Sequence, residues 1–445
     1  VGTILHTLQV DERIRIRRDD RGYVFPDFEI RKPKIYSGPL WRLDRLKQLF
    51  PKDERGLRHY WRDYLRFTRI MTAARTMEAT SGLTRWFWKA RLYANLLPFL
   101  PRKDWTATQL MNSYFRTRQL QMVFISILAD FFTPPSKFQG LGVFALNPES
   151  SFDCRIPRRI APGAELLYQY SLLGGAITLV TALAEKIREH GGEILTSRPI
   201  ARILVNNGRA TGVVDALGNA YPADVVIASG GAKETFFNLV GKGSLPEPLA
   251  ADITALPLMD SVFMVHLGLD TSPAEYVHGA CTYFYGTYDL EGGIDRAKRG
   301  EYHEGKDGFV VHVPTLHSPE MAPQGMHAVT IYTICPDRLR DGAWANNKEF
   351  YADRLVAAAE RYIPGLREHT RVREILTPDD FRERTHTAHH AFGGTAPLMN
   401  APKIRHQTPI MGLWFIGAQS ESGGGVNNVI SGAYATAQRI MQAGR

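Results

Sequence analysis

The loop Gly417-Ala418-Gln419-Ser420-Glu421-Ser422-Gly423-Gly424-Gly425 constrains the fold more than any other stretch of this chain. It follows the apolar run Leu413-Trp414-Phe415-Ile416 and precedes the helical pattern Val426 to Gln442. It therefore reads as the corner between a buried strand and a helix. At such a corner the first N–H groups of the helix and the positive end of its dipole face outward. Three successive glycines remove every Cβ from the approach, so a flat ligand can lie directly against main chain. A tight turn without a ligand would need only one or two. The run Val225-Val226-Ile227-Ala228-Ser229-Gly230-Gly231 is a second corner of this kind, and small residues at the carboxyl end of a strand mark the crevice where α/β sheets bind nucleotides.

Around these corners the pattern predicts an α/β unit. Gly174-Gly175 opens a helix whose Ala176, Val180, Leu183 and Ile187 form one apolar face, and Gly191-Gly192 stops it. A strand over Glu193 to Thr196 follows, then strands over Ala201–Val205 and Ala210–Asp215, with turns at Asn206-Asn207-Gly208 and Gly218-Asn219. Residues 1–40 read as short strands, with a turn at Asp19-Asp20-Arg21-Gly22. Residues 41–150 read as helical, with long patterns over Leu57–Glu78 and Thr106–Phe132. Within them Trp86 to Leu100 mixes aromatic and basic residues, which suits a membrane interface, the mouth of an apolar tunnel, or a helical core with snorkelling cations. Residues 240–400 read as a second sheet unit, with strands over Val262–Leu269, Phe309–Val313 and Ala328–Ile334 and a helix over Lys348–Tyr362. The expected division is a discontinuous nucleotide-binding unit (1–40, 165–240, 405–445), a helical unit (41–164) and a mixed sheet unit for substrate (241–404).

Several function classes drop out. The formal charge of +9 comes without zinc-finger spacing or an RNA-recognition signature, so no nucleic-acid partner is expected. Cys154, Cys281 and Cys335 form no C-x-x-C pair, which argues against a zinc or dithiol centre and suits the reducing cytoplasm. The longest apolar run, Met122 to Phe132, is interrupted by Asp130 and falls short of the ~18–20 residues of a spanning helix. His386, His389 and His390 lack the glutamate of an H-E-x-x-H site and read as structural, so no metal is expected. No G-x-S-x-G elbow or Walker lysine motif is present.

Four stretches carry a family resemblance. They are Gly174-Gly175 with Ile200 to Ile203 and Gly208 to Val213; Ala223 to Gly230 with Phe237 to Gly241; Val313 to Gly325; and Gly412 to Ala418 with Ser422 to Val426. In these the chain resembles the phytoene-desaturase group of flavoproteins, which includes carotenoid desaturases, carotenoid isomerases and retinol saturases. The resemblance implies FAD. It implies that Ile200 meets the adenine end through its backbone and that Ser229 and Gly230 lie beside the phosphates. Gly417, Ala418, Gly423, Gly424, Gly425, Val426 and Asn427 would then meet the isoalloxazine. Helices over roughly 45–160 would face a membrane, beside a tunnel for a long apolar substrate.

Related flavoproteins begin with a strand, a G-x-G-x-x-G turn and a helix. None occurs here and the sequence opens at Val1, so the expectation is an N-terminally truncated, Rossmann-like FAD/NAD(P)-binding domain lacking its first βαβ unit. The expected activity is hydride transfer between a carotenoid- or retinoid-like polyene and flavin, for which positioning and a dry tunnel matter most. Glu421 is the nearest ionisable candidate for a catalytic role. Ser420-Glu421 stands where desaturases often carry a His-Pro-like pair, which leaves the substrate subgroup open. A carotenoid-type isomerase or an amine-oxidase relative, both using FAD, are the alternatives. A flavin-free peripheral membrane or assembly protein is the alternative from another class.

Overall fold

The computed structural model of the chain describes residues 1–18, 21–33, 40–78, 80–147 and 170–443. Asp19 and Asp20 of the expected turn, Cys154, and the end of the expected helical unit lie outside the described residues. In chain order, α1 (Gly2–Thr7), β1 (Ile16–Arg18), β2 (Arg21–Val24) and β3 (Glu29–Ile30) lead into a run of helices. These are α2 (Trp41–Leu49), α3 (Glu54–Glu78), α4 (Gly82–Leu96), α5 (Ala107–Tyr114), α6 (Arg118–Ile125) and α7 (Gly142–Leu146). Next come β4 (Tyr170–Leu172), α8 (Ile177–Glu189), β5 (Ile200–Asn206), β6 (Arg209–Asp215), β7 (Ala220–Pro222), β8 (Val226–Ser229) and α9 (Glu247–Ala255). Then follow β9 (Ser261–Leu269), β10 (Cys281–Tyr285), α10 (Leu290–Lys298), β11 (Gly308–His312) and β12 (His327–Cys335). The described chain closes with α11 (Trp344–Glu360), β13 (Thr370–Leu376), α12 (Pro378–Thr385), β14 (Leu413–Ile416) and α13 (Val426–Ala443).

The largest sheet has the order β13-β9-β12-β11-β10-β2-β3. Alternation along β9 and β12 sends Phe263, Val265 and Ile331 to one face, where they pack with Leu355 and Ala359 of α11. The opposite face carries a lateral row. Tyr283 of β10 faces Val310 of β11, which faces Tyr332 of β12. Below this row the helices bury their own core of Leu57, Tyr60, Leu110, Met111 and Phe124. The third unit holds the meander β5-β6-β7 and the parallel pair β14-β8.

Tertiary contacts override the local pattern in four places. Gly2–Thr7 is helical, not a strand, because Leu5 and Val10 pack with Leu179 and Ala182 of α8. The pattern over Thr106–Phe132 breaks after α5, where the buried Asp53 carboxylate accepts the N–H groups of Arg116 (2.8 Å) and Thr117 (3.1 Å). Helix α8 buries Leu179 and Ala182, whereas Val180 and Ile187 of the expected core face are 58% and 48% exposed. Glu193 to Thr196 forms no strand. Finally, β2 and β3 join the far edge of the seven-stranded sheet, beside β10.

Candidate functional site

Strands β14 and β8 run parallel with Leu413 opposite Val226 and Ile416 opposite Ser229. Equal register brings both strand ends to one level, so Gly417 and Gly230 emerge side by side. A Cβ on Gly417 would stand 3.6 Å from Ser229 Cβ and 3.8 Å from the Gly230 nitrogen. Burial holds this geometry from below, with the Phe415 and Phe236 rings 5.1 Å apart. From the side, the buried Gln419 Oε1 accepts the Ala232 N–H at 2.8 Å. The two expected corners therefore form one crevice.

The three consecutive glycines divide into two roles. Gly423 and Gly425 take φ of +70° and +94°, and a Cβ on either would meet nothing within 4 Å. Gly230, at φ +121°, is equally open. Gly424 is different: its Cβ would fall 1.7 Å from the Gly393 carbonyl oxygen. It is a packing glycine, and the bare main chain lies on either side of it. Helix α13 starts there with Val426 62% exposed, Asn427 exposed and no acidic residue in its first turn, so the positive end of its dipole is uncompensated. Ala418 lies on the inner wall, its carbonyl accepting the Thr395 N–H at 3.2 Å. Ile200 opens β5 opposite Asp215, in the meander, and not at the paired strand ends.

Glu421 is turned toward the segment 404–406. Its carboxylate accepts the His406 N–H at 2.9 Å, and its own N–H donates to the Ile404 carbonyl at 2.7 Å. His406 Nε2 lies 2.7 Å from Ser422 Oγ and 3.2 Å from Ser420 Oγ. Burial lowers the His406 pKa, with the Glu421 charge opposing. Nothing in local spacing marks His406 as the prop beneath the loop, because only the return of the chain at 404–406 brings it there. Of His386, His389 and His390, the last two have ring nitrogens hydrogen-bonded by protein. His386 takes the left-handed cap of α12, His389 Nε2 lies 2.8 Å from the Met259 carbonyl, and His390 Nδ1 lies 2.6 Å from Ser261 Oγ. Burial lowers the His390 pKa to about 4. Among the described residues no group of three or more His, Cys, Asp or Glu is arranged to hold a metal ion.

A second opening lies between the tyrosine-bearing sheet face and the helices. Its cavity volume is about 60 Å³, within about 640 Å³ of space between the atoms that is partly open to solvent. It is a narrow slot, walled mostly by apolar groups such as Met122, Leu290, Ile294 and Ile334. Asp130 also lines it, with Tyr283, Tyr285 and Tyr332. Burial raises the Asp130 pKa to about 7, although the Arg21 charge and the nearby Tyr283 oppose this. Asp130 is deep in the protein yet keeps some accessible surface, because that surface faces the slot. The slot approaches the crevice through Phe392, whose ring lies 6.0 Å from that of Tyr332 and whose neighbour Gly393 packs on Gly424. In the sequence, Asp130 showed only as an acid in an apolar run.

No family model matches the chain. Its fold is shared by solved oxidoreductases. An oxidoreductase from Methanosarcina mazei aligns over 98% of this chain and 85% of its own, at 17% identity and a TM-score of 0.57. Wild-type putrescine oxidase bound to putrescine aligns over 99% and 86%, at 14% identity and a TM-score of 0.56. In sequence the chain is similar to phytoene desaturases. The lycopene-forming phytoene desaturase of a Paracoccus species is 30% identical over 275 residues, 60% of this chain and 54% of that protein. Further relatives at 21–28% identity include other phytoene desaturases, a zeta-carotene desaturase and a mammalian pyridine nucleotide-disulfide oxidoreductase domain-containing protein. The chain spans about half the length of the curated relatives it matches.

Proposed function

We propose that this chain is part of an FAD-dependent oxidoreductase that acts on a long apolar polyene. The observation that carries the reading is the crevice of two parallel strand ends, Ile416 opposite Ser229, with three glycines open to a ligand. The residues fit the cofactor. Gly417, Gly423 and Gly425 would give the flat ring bare main chain, and the N-terminus of α13 with Val426 and Asn427 would favour negative charge at its edge. Ser229 and Gly230 would lie beside the phosphates, and the backbone of Ile200 beside the adenine. When bound, a flavin accepts or gives a hydride.

The chain's own residues position and exclude. The slot beneath the tyrosine row would hold the polyene away from water, and its narrowness suits a flat conjugated chain. Glu421 serves as scaffold in this reading, because its carboxylate is committed to the His406 N–H. Glu421→Gln keeps that acceptor, so turnover should stay within about twofold of the parent. A loss of tenfold or more would make Glu421 part of the chemistry.

We divide the molecule into a nucleotide-binding unit, a helical unit over 41–164, and a sheet unit of 241–404 joined by residues 21–30. Peripheral attachment to a membrane, in a reducing compartment such as the cytoplasm, belongs to the same reading. No residue of α4 is buried, with Leu83 and Trp86 88% and 67% exposed. Lys89 lies over the Trp86 ring at 4.7 Å and Arg91 over Trp88 at 5.4 Å. Aromatic rings beside cations suit an anionic lipid surface. Among the described residues no helix is long and apolar enough to cross a membrane.

Amine oxidation is the second reading, favoured by Asp130, a carboxyl that lines the mostly apolar slot beside the tyrosines. The test is anaerobic titration of the purified protein, followed through the visible flavin bands. Bleaching by phytoene or another polyene supports the proposal. Bleaching by long-chain primary amines alone supports the second reading, an isomerised polyene without net bleaching indicates an isomerase, and a protein without flavin bands overturns all three.

A further inference from the structure

The slot is more polar than a pure hydrocarbon requires, at Asp130 and the tyrosines and again at Asp289, His303 and Asp307. Tyr283, Val310 and Tyr332 stand in one row across three adjacent strands, so the two tyrosines are separated by two strand spacings, roughly 9–10 Å. Tyr285 follows on the same face of β10, opposite Gly308. A Cβ on Gly308 would collide with the Phe284 carbonyl oxygen at 2.7 Å, so no side chain fills the space beside Tyr285. Asp130 lines the same space from the helical side, near Tyr283, which acts to lower its pKa.

One hydroxyl in this group is poorly satisfied among the described residues. The buried Tyr285 hydroxyl finds no hydrogen-bond partner of normal geometry among the described residues, although Ser126 lies near it. A buried, unpaired hydroxyl is costly. We propose that Asp130, Tyr283, Tyr285 and Tyr332 form a recognition site for an uncharged oxygen function, a hydroxyl or carbonyl, on an otherwise apolar ligand. This deepens the reading given above and rests on it for the polyene body of the ligand. An oxygenated polyene, and not a bare hydrocarbon, is then the preferred occupant.

The charge balance favours a neutral ligand. Burial holds Asp130 in its protonated form through most of the acid range, and burial raises the pKa of all three tyrosines. The Arg21 charge acts against this at Asp130, Cys281 also acts on the tyrosines, and Asp289 and Asp307, which line the slot as well, are paired with Arg296 at 3.4 and 2.8 Å. A neutral carboxyl offers one O–H donor and one acceptor, and Tyr285 offers an O–H. Together they match an oxygen that accepts one or two hydrogen bonds. An ammonium would need the carboxyl ionised.

The test is equilibrium binding of retinol, retinal and the matching hydrocarbon without oxygen, followed by tryptophan quenching in the intact protein. The parent should bind the two oxygenated polyenes about tenfold or more tightly than the hydrocarbon. Tyr285→Phe removes one oxygen atom and should cut that preference to about threefold or less. Asp130→Leu should do the same, and Asp130→Asn, which keeps a neutral donor and acceptor, should preserve the preference. Should Asp130→Leu fail to fold, Tyr285→Phe decides alone. Equal binding of all three polyenes to the parent overturns the proposal. So does tighter binding of a long-chain primary amine that disappears in Asp130→Asn. Flavin bands recorded on the same samples separate the two questions: a yellow protein without oxygen preference loses only this site, and a colourless one with the preference loses only the flavoenzyme reading.

Discussion

Asp130→Asn is expected to be more stable than the parent at about pH 8 and level with it near pH 4, in thermal unfolding followed by circular dichroism. The folded chain holds the Asp130 carboxyl at about 7, whereas an unfolded aspartate titrates near 3.9. Between those values the folded protein keeps a proton that the unfolded chain has released. Stability from this group is therefore complete below about pH 4 and is lost as pH rises through about 7, a change on the order of 4 kcal/mol. An amide does not titrate, so the variant's advantage should grow over that interval. A stability difference that stays constant from pH 4 to 8 would show that the carboxyl is ionised in the folded protein throughout. A residue that costs stability near neutrality and survives in a cavity points to function.

Gly424→Ala is expected to be the most damaging single change in the glycine loop. Its Cβ would fall 1.7 Å from the Gly393 carbonyl oxygen, and that backbone has little freedom, because Gly394 is itself packed against the Ala418 carbonyl. Overpacking of this kind costs about 3 kcal/mol or more. Gly423→Ala and Gly425→Ala meet open space and carry only left-handed strain, about 1–2 kcal/mol each. Their methyl groups would project into the proposed cradle, so they should weaken flavin retention out of proportion to their effect on folding. Urea midpoints and visible absorbance, measured on the same three variants, separate these effects. Equal destabilisation by all three would contradict the division of roles.

What could be read early follows from short-range physics. The corners at Ser229 and Gly417 were legible because a buried strand, a glycine turn and a helix lie within a few residues of one another. The strands of the large sheet were legible from alternation, as in β9 and β12. The face of α8 was misread because the helix carries apolar residues on more than one side, and only the packing of Leu5 and Val10 selects which side is buried. The break after α5 was invisible because the carboxylate that holds it, Asp53, lies some 60 residues earlier.

The site divides along the same line. Sequence alone determined that two glycine corners exist, that three glycines stand in a row at one of them, and that an acid interrupts the apolar run at Asp130. Tertiary structure alone decided that the corners lie side by side, that Gly424 serves packing while its neighbours stay open, that Glu421 props the 404–406 segment, and that Asp130 meets three tyrosines from β10 and β12. Local pattern reports which conformations a segment favours. Which distant side chains share a wall depends on strand register and helix docking, and those are set by contacts between segments far apart in the chain.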